Sequence, residues 1–292
     1  MEGAVPISPN TRIAVVTGGN KGIDRDGGVP ATRRQYGVPV VLTARDEARG
    51  AAAVERLREL GLSDVVFHQL EITDATSIAR LADFLKTRFG KLDILVINAA
   101  IGTAEYVRDP VYGPIRAEQL SGMDEDQRFG FLWENCRKTY DAAKKGLQTN
   151  YYGTKRVIRR LRLFRNEELK QELNDIDSLT EERLDELLDM FLKDFETNTV
   201  DARGWPRYFS AYKVAKAAMN AYSRILARAH PTLRINCAHP GYVKTDLTLN
   251  TGFLTPEEGG SRVVAVALLP EGGPTGAFFE RTFTVHNTAS IY

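Results

Sequence analysis

Tyr212 and Lys216 stand four residues apart at the start of a run, Tyr212-Lys213-Val214-Ala215-Lys216, that continues in helical pattern through Tyr222. On a helix, positions i and i+4 share a face. A phenol and an ammonium so placed suit general-acid catalysis, because a nearby ammonium favours the phenolate and brings a phenol toward the range of a general acid. Alone the pair is weak, since Tyr-x-x-x-Lys is also an ordinary helix face. Two segments give it a setting. Thr17-Gly18-Gly19-Asn20-Lys21-Gly22-Ile23 follows a short β-branched run, where glycines permit a tight turn and let backbone N–H groups approach a pyrophosphate. Pro240-Gly241-Tyr242-Val243-Lys244-Thr245 follows another such run, which places it at the carboxyl edge of a sheet, where open α/β folds bind ligands.

Arg45 ends a further run, Leu42-Thr43-Ala44-Arg45. An acid there would grip a ribose 2′-hydroxyl, whereas a base accommodates a 2′-phosphate. Arg45, with Lys21 in the turn, therefore favours NADP(H) over NAD(H), against the plainer reading of two solvated surface charges.

These residues need a frame. Ile13–Thr17, Val38–Thr43, Val65–Leu70, Leu92–Ile97 and Leu233–Ala238 are short apolar runs that read as buried parallel strands. Helical patterns over Glu47–Leu60 and Ser77–Phe89 separate them, so the alternation predicts an α/β, Rossmann-type doubly wound parallel sheet. Residues 103–135 read as a long surface loop or lid, and Tyr140–Leu161 as a helix. Ser178-x-x-Glu181 reads as a capping box ahead of an apolar stripe at Leu184, Leu187, Leu188, Phe191, Leu192 and Phe195. That stripe is a core-facing helix. The last twelve residues, 281–292, read as a loose tail on a single domain spanning 1–292, with an ordered core from about 12 to 280.

Together the motifs resemble the short-chain dehydrogenase/reductase family from about Arg12 to Phe279. Asn98-Ala99-Ala100 is similar to its Asn-Asn-Ala-Gly motif, and Asn150 to its active-site asparagine. The stretch from Arg165 to Trp205 resembles the insertion of the monomeric carbonyl-reductase branch, which includes the plant menthone and salutaridine reductases. The resemblance implies that Tyr212 protonates a carbonyl oxygen as hydride arrives from the nicotinamide. It implies that Lys216 holds the ribose and that Asn150 anchors a water in the proton relay. Gly18, Asn20, Lys21, Gly22 and Ile23 would cradle the pyrophosphate and 2′-phosphate, and Glu71 would lie near the adenine. Asn98 and Ala99 would meet the cofactor at the fourth strand, with Pro240, Gly241, Val243 and Thr245 on the nicotinamide side. The implied protein is a monomer with NADP(H), no metal, and a small-molecule carbonyl substrate.

Three departures stand out. Asp24 replaces a glycine of the turn, and Asp24–Pro30 holds two glycines and a proline where the first crossover helix should run, so that helix is expected to restart at Pro30 and reach Tyr36. Ile97 and Ala100 replace the first and last residues of the Asn-Asn-Ala-Gly motif. Between Arg160 and Leu161 no β-branched run and no serine occur where the family carries the strand of its catalytic serine. Ser178 and Ser210 are the only serines from Lys155 to Tyr212. The sheet is thus expected to lack one central strand. The reading is NADPH-dependent reduction of a ketone or aldehyde with impaired turnover. Its rivals are a non-catalytic nucleotide binder and the product of an altered transcript.

Composition excludes other classes. A net charge of +1 gives no field for nucleic acid or an acidic membrane. Cys136 and Cys237 are the only cysteines, so no disulfide framework exists and a reducing compartment, the cytoplasm, is expected. The start, MEGAVPISPN, carries Glu2 and no apolar h-region, so no secretory signal is expected. The run Ile94–Gly102 is too short to span a bilayer.

Overall fold

The computed structural model describes residues 11–30, 37–106, 115, 117–162, 180–203, 205–206, 208–280 and 285–286. Strands β1 (Ala14–Val16), β2 (Val40–Ala44), β3 (Val65–Gln69) and β4 (Ile94–Val96) form a parallel sheet in the order β3-β2-β1-β4. Side chains alternate across it as strand period demands. Ile13, Val15 and Val41 pack on one face with Ile78, Leu81 and Leu85 of helix α2 (Ala75–Phe89). Ala14, Val16, Val40 and Leu42 pack on the other with Val54 and Leu57 of α1 (Glu47–Glu59). This is the doubly wound arrangement expected. Asp46 starts α1 by accepting from the Arg49 N–H at 2.9 Å, and Asp74 caps α2 through the Thr76 N–H at 2.9 Å. Gly90, at φ 69°, ends α2 in the left-handed conformation.

The first crossover differs from expectation. Gly22 to Pro30 is already helical, with a π-helical turn over Asp24–Gly28. Its glycines serve packing rather than breakage: a Cβ on Gly27 would meet the Pro256 carbonyl at 2.2 Å, and one on Gly260 the Gly28 nitrogen at 2.3 Å. Residues 31–36, where a restart was expected, lie outside the described residues.

The stretch 103–135 is not a plain loop. It contains the two-residue strand β5 (Glu105–Tyr106) and helix α3 (Glu125–Glu134), and β6 (Cys136–Arg137) pairs antiparallel with β5. A capping box between Asp124 and Gln127 nucleates α3, a signal overlooked among the charged residues. Helix α4 (Tyr140–Leu147) runs through a π-helical turn, Gln148–Gly153, into α5 (Thr154–Arg162), as the sequence predicts apart from that widening. Helix α6 (Glu181–Glu196) buries Leu184, Leu188 and Phe191. Thr180 caps it, accepting from the Arg183 N–H at 3.2 Å; Ser178 lies outside the described residues. The buried Lys155 reaches across from α5, with Nζ 2.9 and 3.0 Å from the two carboxylate oxygens of Asp185 on α6.

Helices α7 (Ser210–Ala229) and α8 (Pro256–Ala267) flank a second sheet, β7 (Cys237–Ala238), β8 (Phe278–Phe279) and β9 (Val285–His286), in the order β7-β8-β9. Val285 and His286 pair antiparallel with β8, so the end of the chain is not wholly a loose tail. Among the described residues β4 pairs only with β1, and β7 only with β8. The parallel sheet is therefore in two parts. The Arg160–Leu161 junction, where the gap was expected, lies inside α5, which ends at Arg162; residues 163–179 lie outside the described residues.

Candidate active site

A cavity of about 2050 Å³ runs between the two parts of the sheet. Ile23, Asn98, Ala99, Asn150, Tyr212, Lys216, Pro240, Gly241, Val243 and Thr245 all line it, so ten of the expected site residues meet in one place. Tyr212 and Lys216 lie on one face of α7, with Lys216 Nζ 5.6 Å from the centre of the Tyr212 ring. Phe209, at φ 50°, turns the chain sharply into α7 three residues before the phenol.

Asn150 is almost fully buried, and its side chain is committed. Oδ1 accepts from the Ile101 N–H at 2.9 Å, and Nδ2 donates to the Ile101 carbonyl at 2.9 Å. The amide therefore clamps the chain leaving β4. Each end of the amide keeps a second hydrogen-bonding position, so the clamp on Ile101 adds to the role the resemblance implies and does not replace it. The π-helical turn containing Asn150 widens the backbone there, a feature frequent at functional sites.

The glycine turn fits a dinucleotide. Gly18 has φ +66°, and a Cβ there would meet the Ala99 Cα at 2.9 Å, so only glycine lets the turn lie against the end of β4. Gly22, at φ +67°, faces Thr245. Thr17 is a residue the sequence reading missed. Its hydroxyl accepts from the N–H groups of Asn98 at 3.0 Å and Ala99 at 3.1 Å, tying the turn to the fourth strand. Nothing distinguishes Thr17 in sequence except its place at the end of a strand. Lys21 binds Asp246 at 2.8 Å across the turn, and this partner holds the Asp246 carboxyl below its ordinary range.

Arg45 and Glu71 are not among the cavity-lining residues. Arg45 is exposed past the end of β2, and its carbonyl accepts from Gln69 Nε2 at 3.1 Å. Glu71 follows β3, and its Oε1 accepts from Thr73 N–H at 3.0 Å and Thr73 Oγ1 at 2.8 Å. Asn20 sits in the turn itself. Ser210 is buried at the start of α7 and does not line the cavity. Ser223 does, but it lies eleven residues past Tyr212, roughly 16 Å along the helix at 1.5 Å per residue. It bonds the Met219 carbonyl at 2.8 Å.

A short chain dehydrogenase family profile matches residues 12–111. The (+)-neomenthol dehydrogenase of Capsicum annuum is 42% identical, with 93% of this chain and 96% of that protein covered. The chain belongs to the short-chain dehydrogenase/reductase family. The crystal structure of salutaridine reductase from Papaver somniferum superposes with a TM-score of 0.79 at 38% identity, covering 91% of this chain and 99% of that one. Within the family the likeness extends to the mouse protein named carbonyl reductase [NADPH] 3, 38% identical over 90% of this chain and 93% of that protein. The alignment with the Capsicum relative runs to 307 positions, more than the 292 residues of this chain, so that relative has residues where this chain has none. Among the described residues no group of His, Cys, Asp and Glu could hold a metal, and no helix is long and apolar enough to cross a membrane.

Proposed function

We propose that this chain reduces the carbonyl of a ketone or aldehyde on a small molecule, with NADPH as the reductant. The observation that carries the reading is the meeting of Tyr212 and Lys216 with the Gly18–Ala99 contact and Thr245 around one cavity. When bound, NADPH would supply the hydride. Gly18 and Gly22 open the backbone for its pyrophosphate, and Lys21 and Arg45 balance the 2′-phosphate charge. Thr17 holds Asn98 and Ala99 against the turn, so that wall of the cavity keeps its shape for a bound cofactor. Tyr212 donates the phenolic proton to the carbonyl oxygen. Lys216, on the same helix face, holds the ribose and supports proton return to Tyr212. Asn150 fixes the loop at Ile101 that borders the substrate space.

Among the described residues no serine lines the cavity beside Tyr212: Ser210 does not line it, and Ser223 lies eleven residues along α7. By analogy with removal of an oxyanion donor, a site without such a hydroxyl would turn over about 10²–10³-fold more slowly. Among the described residues α5 is helical across the Arg160–Leu161 junction and the sheet is in two parts, which supports the absence of a strand there. A slow reductase is thus favoured over a silent nucleotide binder, because Tyr212 and Lys216 share one face of α7 on the cavity.

We infer further that the protein is a single-domain cytoplasmic monomer. Leu184, Leu188 and Phe191 of α6 pack on α4 and α7 and cover a helical face on which a second copy would otherwise dock. Both cysteines are free. Light scattering after gel filtration tests the monomer. The activity is tested by titrating purified protein with NADPH and then measuring reduction of a panel of simple ketones. Tight NADPH binding with turnover well below 1 s⁻¹ is expected, given typical enzyme rates of about 1–10³ s⁻¹. No binding of NADPH would overturn the reading.

A further inference from the structure

Arg128, on α3, makes its contacts with backbone carbonyls and an aromatic ring. Its Nε donates to the Met123 carbonyl at 3.0 Å, and its Nη1 to the Thr251 carbonyl at 2.5 Å, 123 residues along the chain. The guanidinium carbon lies 4.2 Å from the centre of the Phe253 ring. Among the described residues no carboxylate forms an ion pair with it. A guanidinium is a planar fork that can stack on a ring and bond two acceptors at once, which an ammonium cannot. The arrangement suits holding a loop in place rather than balancing a charge.

The loop that Arg128 holds is braced internally. Thr251 is buried, and its hydroxyl donates to the Thr248 carbonyl at 2.5 Å and meets the Tyr242 hydroxyl. Thr248 Oγ1 donates to the Val243 carbonyl at 2.6 Å and accepts from the Thr245 N–H at 3.1 Å. The Leu254 N–H donates to the Tyr242 carbonyl at 3.0 Å and closes the two ends. Residues 242–254 are thus tied into one piece. On one side of it Thr245 approaches the glycine turn, where a Cβ added to Gly22 would lie 3.4 Å from Thr245 Cγ2. On the other, the Tyr242 ring centre is 5.2 Å from that of Phe129, the residue after Arg128. Phe129, Tyr242 and Thr245 all line the cavity.

We propose that Arg128 is a positioning residue, which latches α3 to the 242–254 loop so that a cofactor bound at the glycine turn fixes the cavity wall at Phe129. The path is continuous: Thr245 to Thr248, Thr248 to Thr251, Thr251 to Arg128, and Arg128 to the helix that carries Phe129. The hydrogen bonds of Arg128 are directional, and the apolar contact at Phe129 is not. The latch therefore transmits a fixed loop position to α3, and ring contact alone lets the helix slide. The proposal rests on the reading of the cavity as a site for NADPH.

The test uses the full chain with NADP⁺ as the probe. Hydrogen exchange is followed at the amides of Phe129, Leu132 and Trp133, whose protection reports opening of α3. Saturating NADP⁺ should slow exchange there by about fivefold or more in the parent chain, and by less than about twofold in Arg128→Met. Arg128→Lys keeps the charge and should behave like Arg128→Met. Phe253→Leu removes the stacked ring from the loop side without altering α3, and should also lower the NADP⁺ effect. Exchange at Val15 and Val41, buried in the four-stranded sheet, reports whether each variant is folded; if Arg128→Met loses protection there, Phe253→Leu decides. Undiminished NADP⁺ protection of α3 in either folded variant would overturn the latch, as would an Arg128→Lys chain that behaves like the parent. Binding of NADP⁺ to the parent, seen by fluorescence titration, without protection of α3 would overturn the latch and leave the cofactor reading intact. No binding at all would overturn both. With a ketone that the parent reduces, Arg128→Met should raise KM by about fivefold, more than it lowers kcat. A fall in kcat larger than the rise in KM would place Arg128 in the chemistry and overturn the positioning role.

Discussion

Asn150 grips Ile101 by both ends of its amide, at 2.9 Å to the backbone nitrogen and 2.9 Å to the carbonyl. One buried side chain thereby replaces a strand partner for the chain leaving β4. Asn150→Leu leaves both backbone groups without a partner at a cost of about 1–3 kcal/mol each. A loss of about 2–5 kcal/mol in denaturant unfolding is expected. An unchanged midpoint would show that the clamp does not support the fold.

Tyr212→Phe keeps the ring and removes the proton donor. Turnover with any ketone substrate should fall by about 10²–10⁴-fold, the usual worth of a general acid. NADPH affinity, measured by fluorescence titration, should change little. Lys216→Ala should weaken both turnover and NADPH binding, because Lys216 serves the ribose as well as the tyrosine. Undiminished turnover in Tyr212→Phe would remove the phenol from the mechanism.

Arg45 lies exposed just past the end of β2. Arg45→Asp exchanges a partner for the 2′-phosphate for one that suits a free 2′-hydroxyl. The ratio of NADPH to NADH affinity should invert. Equal binding of both cofactors by the parent chain would dismiss Arg45 as a determinant.

Asp246 ties up Lys21 at 2.8 Å, and the hydrogen bond and charge of Lys21 lower its carboxyl pKa. A folded-state pKa below the unfolded one contributes stability above the ordinary carboxylate range, and this is lost as pH falls through the folded value. Both side chains are more than half exposed, so the pair is screened and worth under about 1 kcal/mol. Asp246→Asn should free Lys21 for the phosphate and tighten NADPH by up to about fivefold. Weaker binding would assign Asp246 a role in shaping the loop instead.

Gly260 meets the turn helix so closely that a Cβ would lie 2.3 Å from the Gly28 nitrogen. Gly260→Ala should cost about 1–3 kcal/mol through overpacking and weaken NADPH as the turn shifts. Gly130, inside α3 with open space around it, is the control. Gly130→Ala should be neutral or stabilise by about 0.5–1 kcal/mol. Equal behaviour of the two variants would mean that helix packing does not set the turn.

Local chemistry made much of this protein legible from its residues alone. The strands at Ala14–Val16, Val40–Ala44 and Val65–Gln69 announced themselves by β-branched runs, and α1 and α2 by their helical patterns. Gly18, Tyr212 and Lys216 were visible because a positive-φ turn and an i,i+4 pair are set by nearest neighbours. What required the tertiary structure was every property that depends on a distant partner. Gly27 and Gly28 read as helix breakers until Gly260 was seen against them, and backbone contact across more than two hundred residues leaves no local trace. That Asn150 also clamps Ile101 depends on a partner 49 residues away in the chain. The lack of a β-branched, serine-bearing run at Arg160–Leu161 could be read from the residues, but which sides of β4 and β7 are paired could not. Which side of a strand a backbone group faces is fixed only by the neighbour that pairs with the other side.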